Sequence, residues 1–415
     1  MSLKTELQQK IKVALVLGPK RLFLLPLALL YIGGLLLLSW VIRVKIHPVV
    51  NGKFGHFATN TELSVLKVKE RKNRTNKREI NLFCATTTKS CNASLEKMWS
   101  QMFNLKTGDW GWLLNDISKR LKFTDFYQES TALDIEGLLI NFPPSLNFSE
   151  IEMAVGKDFL SENNISNRDK FVCLNVRDSS FLARSKNLGW SKSRDWSYHN
   201  YRDSDINTYV AAADALAEMG YTVFRMGAIV EKPLISKHSR VIDYATNGMR
   251  TEFLDIFLGA HCAFCVSTGS GWDSIPQIFR RPSLYVNNVP IFPPACVVRD
   301  LLIYPKTLHC NSTKTDLRLD EIIGRKVHSL FFSADYADTE VAIMDMSPAE
   351  LVAAVTEMAA RVEGTFVETP EQKQMQAKLK HVFSTHPKLQ PTPNYYPIRA
   401  EFASCFLSRY PNFLD

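Results

Sequence analysis

The stretch from Cys262 to Phe279 restricts the fold more than any other part of the chain, because it reads as a strand, a tight glycine-bearing turn and a helix start. Ala263, Phe264, Cys265 and Val266 form a short unbroken apolar run, the pattern of a strand buried on both faces, which parallel sheets covered by helices contain. Ser267-Thr-Gly-Ser-Gly271 breaks the run, and a short helical pattern follows from Asp273 to Phe279. A strand end, a small turn and a helix start leave several backbone N–H groups pointing one way. The hydroxyls of Ser267, Thr268 and Ser270 sit among them, and such a place suits an anion, most often a phosphate. The same five residues would serve equally well as an ordinary strand–helix turn. No Lys follows the last glycine, so this is not a Walker A loop, and the spacing is not GxGxxG either. The surroundings have to decide.

Those surroundings repeat the strand–helix alternation. Phe171-Val-Cys-Leu-Asn-Val176 is an apolar strand ending in Arg177-Asp178-Ser179-Ser180. Ser204-Asp205 opens an amphipathic helix through Ile206, Tyr209, Val210, Ala213, Leu216 and Ala217 that stops at Gly220. Tyr221-Thr-Val-Phe224 is the next strand and ends in Arg225-Met-Gly227; Arg240–Asp243 gives another, Thr251–Leu258 a helix, and Ser283–Asn287 the strand after the Ser267–Gly271 turn. This order predicts a parallel, doubly wound α/β sheet, in which ligands bind outside the carboxyl ends of the strands. Arg177, Arg225 and the turn Ser267, Thr268, Gly269, Ser270, Gly271 all fall at such ends, so they are the expected anion-binding residues. Further on, Ser347-Pro-Ala-Glu350 is a capping box whose helix runs to Arg361 and stops at Gly364; 387–397 is proline-rich and extended.

Toward the N-terminus, residues 22–42 carry no charge and lie between Arg21 and Arg43. Twenty-one predominantly apolar residues are long enough to span a bilayer, and the preceding segment is basic. No small-residue cleavage site follows, so the segment is read as a retained membrane anchor. Its far flank is positive as well, which leaves its orientation open, and Pro26 with Gly33-Gly34 would also suit a bend into one leaflet. Val44–Val50 reads as a strand, Asn51–His56 as a glycine turn, and Ala58–Val68 as a helix or strand. The basic run Lys67–Arg78 reads as a solvated loop or as a lipid-head-group contact. A second strand at 80–84 and helices near Leu95–Asn104 and Trp110–Leu121 suggest an N-terminal α/β domain, closed by the polar stretch 161–169. The expected division is therefore 1–21 basic, 22–42 anchor, 44–160 N-terminal domain, 165–345 second α/β domain and 347–415 helix and tail. The chain is globular in composition, with 46% hydrophobic residues, and 50 Lys+Arg against 42 Asp+Glu leave a net charge of +8. That excess suits anionic small molecules or acidic lipid, and no nucleic-acid-binding motif accompanies it. Cys262 and Cys265 form a CxxC without a second pair, so they read as buried thiols and not a zinc site.

Taken together, Asn175-Val-Arg-Asp178, Tyr198-His-Asn-Tyr-Arg-Asp-Ser-Asp205, Arg225-Met-Gly227, Asp243-Tyr-Ala-Thr-Asn-Gly-Met-Arg250 and Ser267–Gly271 resemble a family of predicted glycosyltransferases. These are mainly bacterial, membrane-associated and tied to surface polysaccharide. The similarity runs from Gly52-Lys-Phe-Gly-His56 to the final Pro-Asn-Phe-Leu. More distantly, Asn175-Val-Arg177 is similar to the His-x-Arg motif of fucosyltransferases, whose Arg contacts the pyrophosphate of a nucleotide sugar; here Asn175 stands in place of the His. The resemblance implies a GT-B-like enzyme, with two Rossmann-like domains facing across a cleft and the second holding the nucleotide-sugar donor.

The chemistry required is charge neutralisation at a leaving diphosphate, which Arg side chains, hydroxyls and a helix start can supply without metal. Asp203-Ser-Asp205 has the letters of a metal motif but reads as a helix start. No metal or other cofactor is expected, and the partners are the donor, a glycan or lipid-linked acceptor and a membrane. An acceptor hydroxyl needs a general base, for which His56, Asp178 and His199 are the candidates; an inter-domain cleft would set His56 opposite the donor. A non-catalytic, membrane-tethered sugar- or nucleotide-binding protein is the competing class. The expected location is a bacterial inner membrane with a cytoplasmic body, where thiols stay reduced; five N-x-S/T sequons leave a Golgi-type lumenal enzyme as the alternative.

Overall fold

The computed structural model describes residues 3–75, 78–121, 125–166, 168–184, 197–290, 300–386, 388–389 and 398–415, with side chains from residue 18 onward. Most of the proline-rich stretch at 387–397 lies outside the described residues. By packing, the chain divides into two units: Met1–Ala132 with Ser145–Asn147, and Leu133–Pro144 with Phe148–Asp415. The division falls earlier than the polar stretch at 161–169. The capped helix Glu150–Glu162 belongs to the second unit, where Phe159 joins a core with Phe171, Phe224 and Phe257.

Unit 1 is a parallel sheet of β1 (Arg43–Val49), β2 (Glu79–Ala85) and β3 (Leu105–Lys106), in that spatial order. Parallel neighbours need long crossovers, and the helices Phe54–Arg74 and Ala93–Met102 provide them. The helix Phe54–Arg74 begins inside the expected glycine turn, so His56 stands in its first turn and not in a loop. Most of the basic run at 67–78 likewise lies on the end of that helix, where Arg71 pairs with Glu79. The N-terminal helix Leu3–Leu38 bends at Gly18, whose φ of +63° is open to glycine, and its second segment is long and apolar enough to cross a membrane. Its Ala28 and Ile32 pack with Val44, Ile46, Leu113 and Leu114.

Unit 2 is built on β4 (Phe171–Asn175), β5 (Thr222–Met226), β6 (Val241–Ile242), β7 (Phe264–Ser267), β8 (Ser283–Asn288) and β9 (Leu301–Pro305). Three short antiparallel strands, β10 (Thr307–Cys310), β11 (Thr315–Asp316) and β12 (Val341–Met344), form a separate small sheet that the sequence pattern does not announce. The edge strand β13 (Glu401–Phe402) brings the C-terminal segment onto β9, so the tail completes the main sheet. That sheet has the order β13-β9-β8-β7-β4-β5-β6, and its described pairs are parallel. The chain leaves β4 toward β5 and β6, then returns to lay β7 on the other side of β4. This reversal makes the gap between the carboxyl ends of β4 and β7 the topological switch point of a Rossmann-type sheet. Both faces are covered, as the apolar strands require. Val172, Leu174, Val223, Val266 and Leu284 face one core, and Cys173, Phe224 and Cys265 face the other. Cys262 and Cys265 are fully buried free thiols. The helix Pro348–Glu363 keeps its capping box and its left-handed Gly364 stop, and packs on the helix Val210–Glu218.

Candidate functional site

Asn175 ends β4 and Ser267 ends β7, and the two are register partners across the switch point. Asp273, 1% exposed, binds this corner together: its carboxylate accepts from the Ser267 hydroxyl, the Ser270 N–H and the Asn175 amide. Asn175 Nδ2 also reaches Ser270 Oγ at 2.7 Å. Burial pushes the Asp273 carboxyl above its ordinary pKa, against the pull of these donors. Asn175, where the distant resemblance would place an imidazole, is thus a hydrogen-bonding member of the corner.

The turn itself is largely self-satisfied. Thr268 N–H donates to the Asn175 carbonyl, Gly269 N–H to Ser267 Oγ, Ser270 N–H to Asp273, and Trp272 N–H to Ser270 Oγ. Gly269 needs its φ of +78° to make the turn, a conformation that favours glycine. Gly271, at the end of the turn, is exposed and begins a 3₁₀ turn. The amides expected to cradle an anion are therefore mostly engaged within the turn.

Guanidinium groups stand where the amides do not. Arg177 leaves the end of β4, its backbone N–H held by Thr268 Oγ1 at 2.8 Å, and its Nε donates to Asp203 Oδ1 at 3.0 Å. Arg202, from the 3₁₀ segment Ser197–Arg202, donates to the Gly269 carbonyl. Burial, and after it the neighbouring Arg202 charge, hold the Arg177 pKa below its ordinary value. Two guanidiniums kept this close, with Arg177 only 14% exposed, form an anion-attracting corner. Lys306, 3% exposed, fastens the same segment by donating to the Tyr201 and Asp203 carbonyls and pairing with Asp345 at 2.7 Å. A recess of about 270 Å³ opens beside it, lined among others by Asp178, Asp203, Asp205, Arg225, Lys232 and Asp345. Carboxylates facing such a recess can accept hydroxyls of a ribose or a sugar.

Of the other sequence candidates, Arg225 and Asp178 belong to the lining of this recess. Arg225 is fully enclosed, with Nη1 on Asp243 Oδ1 at 3.4 Å; Asp243 also accepts from Leu234 N–H and Thr246 Oγ1. Its Nε is buried with no hydrogen-bond partner among the described residues. Asp178 accepts Ser180 N–H on one oxygen and Glu231 N–H on the other, each at 2.8 Å, and so staples the loop after β5 to the end of β4. His199 lies between Tyr198 and Tyr201, with ring centroids at 4.0 and 6.3 Å. Asp205 caps the turn Ile206–Tyr209, as its reading as a helix start required.

His56 belongs to unit 1. Its Nδ1 stands 3.2 Å from Asn60 Oδ1, and Asn60 Nδ2 donates to Ser130 Oγ at 2.7 Å. An amide oxygen only accepts, so Nδ1 carries the proton and Nε2 keeps its lone pair. Desolvation of its packed side holds the imidazole below the ordinary histidine pKa, which keeps it neutral at pH 7. Sequence reading missed Arg202 and Asp273. Arg202 lies inside the quoted Tyr198–Asp205 motif, and Ser270-x-x-Asp273 is the spacing of a capping box.

No family model matches the chain, and no curated protein does. Among solved structures it is similar to a glycosyl transferase family 9 protein from Veillonella parvula, at 10% identity and a TM-score of 0.43, covering 77% of this chain and 98% of that one. It is also similar to the ADP-heptose lipopolysaccharide heptosyltransferase II of E. coli, at 13% identity and a TM-score of 0.37, covering 63% of this chain and 90% of that one. At these scores the likeness identifies no family for this chain.

Proposed function

We propose that the corner formed by Arg177 and Arg202 at the β4–β7 switch point binds the diphosphate of a nucleotide sugar, and that the chain is a glycosyltransferase. One observation carries this reading: two guanidiniums converge at the place in a Rossmann-type sheet where nucleotides bind, beside a recess lined by carboxylates. The motif resemblance across the same residues supports it. In the reaction the bond from the anomeric carbon to the diphosphate oxygen breaks, and its electron pair goes to that oxygen. Arg177 and Arg202 then face more negative charge in the transition state than in the bound donor, which is the condition for catalysis and not only for binding. Asp203 keeps the Arg177 guanidinium in place before the donor arrives.

The acceptor, a glycan or lipid-linked hydroxyl, forms the new bond to the anomeric carbon and loses its proton to a base. The donor chemistry needs no metal in this reading, because the guanidiniums supply the positive charge.

The test is release of nucleoside diphosphate from a panel of nucleotide sugars by the full-length protein, with and without glycan acceptors. Arg177→Ala should lower turnover by about 100-fold, in line with loss of an oxyanion-stabilising donor, and Arg177→Lys should recover little because an ammonium cannot reproduce the planar fork. A folded Arg177→Ala protein with normal turnover would overturn the assignment. Donor binding without turnover under all acceptors tried would leave a nucleotide-sugar-binding protein instead.

A further inference from the structure

The N-terminal helix is part of the body of unit 1, and this limits how it can meet a membrane. Leu24, Leu25, Ala28, Ile32, Leu35 and Leu36 recur at helical spacing and pack into one core with Val44, Ile46, Leu113 and Leu114. That contact runs along most of the segment after Gly18. Beside it lies the helix Gly108–Lys119, which carries Asp109, Asp116 and Lys119. Arg21 pairs with Asp109 at 2.6 Å and sits 4.4 Å over the Trp112 ring, and Tyr31 meets Trp110 edge to face. β1 begins only a few residues after the helix ends.

A helix fixed in this way cannot cross a bilayer without drawing its partners in. Asp109, Asp116 and Lys119, and the polar ends of the sheet, would then lie at the depth of the hydrocarbon, where ionised side chains and open strand edges are costly. The outward face has the opposite character. Phe23, Leu27, Leu30, Leu37, Trp40 and Val41 are exposed, with Trp40 and Val41 about nine-tenths open at 90% and 88%. An apolar surface of this length on a folded protein marks a contact site. Its flanks decide which contact. Lys20 and Arg43 are exposed at the two ends, Trp40 stands beside Arg43, and the segment before Gly18 adds Lys4, Lys10 and Lys12 against Glu6. Basic residues and a tryptophan bordering an apolar helix face match the head-group region of an anionic leaflet.

We propose that unit 1 docks on the surface of an anionic bilayer, with the segment Gly18–Leu38 lying in the plane of one leaflet instead of crossing it. The helix buries one face in the protein and the other in lipid, so both of its ends stay on the side of the body. This proposal does not depend on the glycosyltransferase reading.

The test uses the full-length protein on sealed vesicles of phosphatidylcholine alone or with phosphatidylglycerol. Flotation should show at least about tenfold stronger binding to the anionic vesicles at low salt, as a few basic residues near the surface supply. Leu30→Glu with Leu37→Glu should lower vesicle binding by more than about tenfold while the melting temperature stays put, because both side chains are exposed. Ile32→Asp should instead lower the melting temperature. An impermeant maleimide added outside should label the Ser2→Cys thiol, above the wild-type background, on vesicles whose protein bodies face outward. Protection of that thiol would establish a spanning helix and overturn the proposal. Failure to bind either vesicle, with a dimer that Leu30→Glu and Leu37→Glu dissolve, would assign the face to a second copy and overturn it equally.

Discussion

Removing the Asp273 carboxylate should unlock the turn at the switch point. Its carboxylate accepts three hydrogen bonds, from Ser267 Oγ, Ser270 N–H and Asn175 Nδ2, in a position 1% exposed. In Asp273→Ala the Asn175 amide retains Ser270 Oγ, so the Ser267 hydroxyl and the Ser270 N–H are the donors stranded. A stranded buried donor costs roughly 1–3 kcal/mol. Burial also raises the pKa of Asp273, so its ionised form carries a penalty at neutral pH that truncation relieves in part. The net loss should be roughly 2–4 kcal/mol, or about 5–15 °C in melting temperature for a domain of this size. Asp273→Asn keeps the volume and one acceptor but turns an amide N–H toward a donor, and should fall between. Calorimetric melts at pH 7.5 measure both variants. An Asp273→Ala protein melting within about 1 °C of the wild type would refute the clamp and with it the account of why the turn's amides are engaged.

Other outcomes follow from single sites. His47, 2% exposed and bonded to Asn81 at 2.7 Å, has its pKa pushed down to about 4, chiefly by burial. The unfolded chain binds this proton from about pH 6.5 downward and the folded one only near pH 4, so stability falls as pH drops through that window. The loss approaches roughly 3 kcal/mol; His47→Gln should flatten the melting temperature against pH there, and an unchanged profile would contradict it. Arg225→Met leaves Asp243 without its guanidinium and should cost about 3 kcal/mol in a calorimetric melt, and an unchanged melting temperature would contradict the pairing. Asn92, 2% exposed and capping the helix Ala93–Met102 through Leu95 N–H, should carry no glycan in a lumenal expression host, a point that mass spectrometry of the sequon peptide checks.

The fold of unit 2 was legible where local pattern and tertiary role agree. Apolar runs such as 171–176 and 264–266 become strands buried on both faces, and Ser347-Pro-Ala-Glu350 with Gly364 sets both ends of its helix. The site was legible down to the strand ends but not beyond them. That Arg177 pairs with Asp203 and Arg225 with Asp243 depends on which side of the sheet each loop returns to, and neither loop has a periodic pattern. Glycine and hydroxyl content suggested amides free for an anion; the capping spacing Ser270 to Asp273 shows why they are engaged. Hydropathy found the helix at 22–42, but hydropathy cannot separate Ala28 and Ile32, buried in protein, from Phe23 and Leu30, which are not.

Titration calorimetry of ADP, UDP and GDP into the full-length protein, and into Arg177→Ala and Arg202→Ala, tests the diphosphate corner most directly. At least one of the three should bind the wild type. Each Arg variant should bind that nucleotide about 10–100-fold more weakly, the worth of one charge-assisted hydrogen bond, with a smaller salt dependence. Equal affinity in the folded variants, or no binding of any nucleoside diphosphate to the wild type, would contradict the assignment.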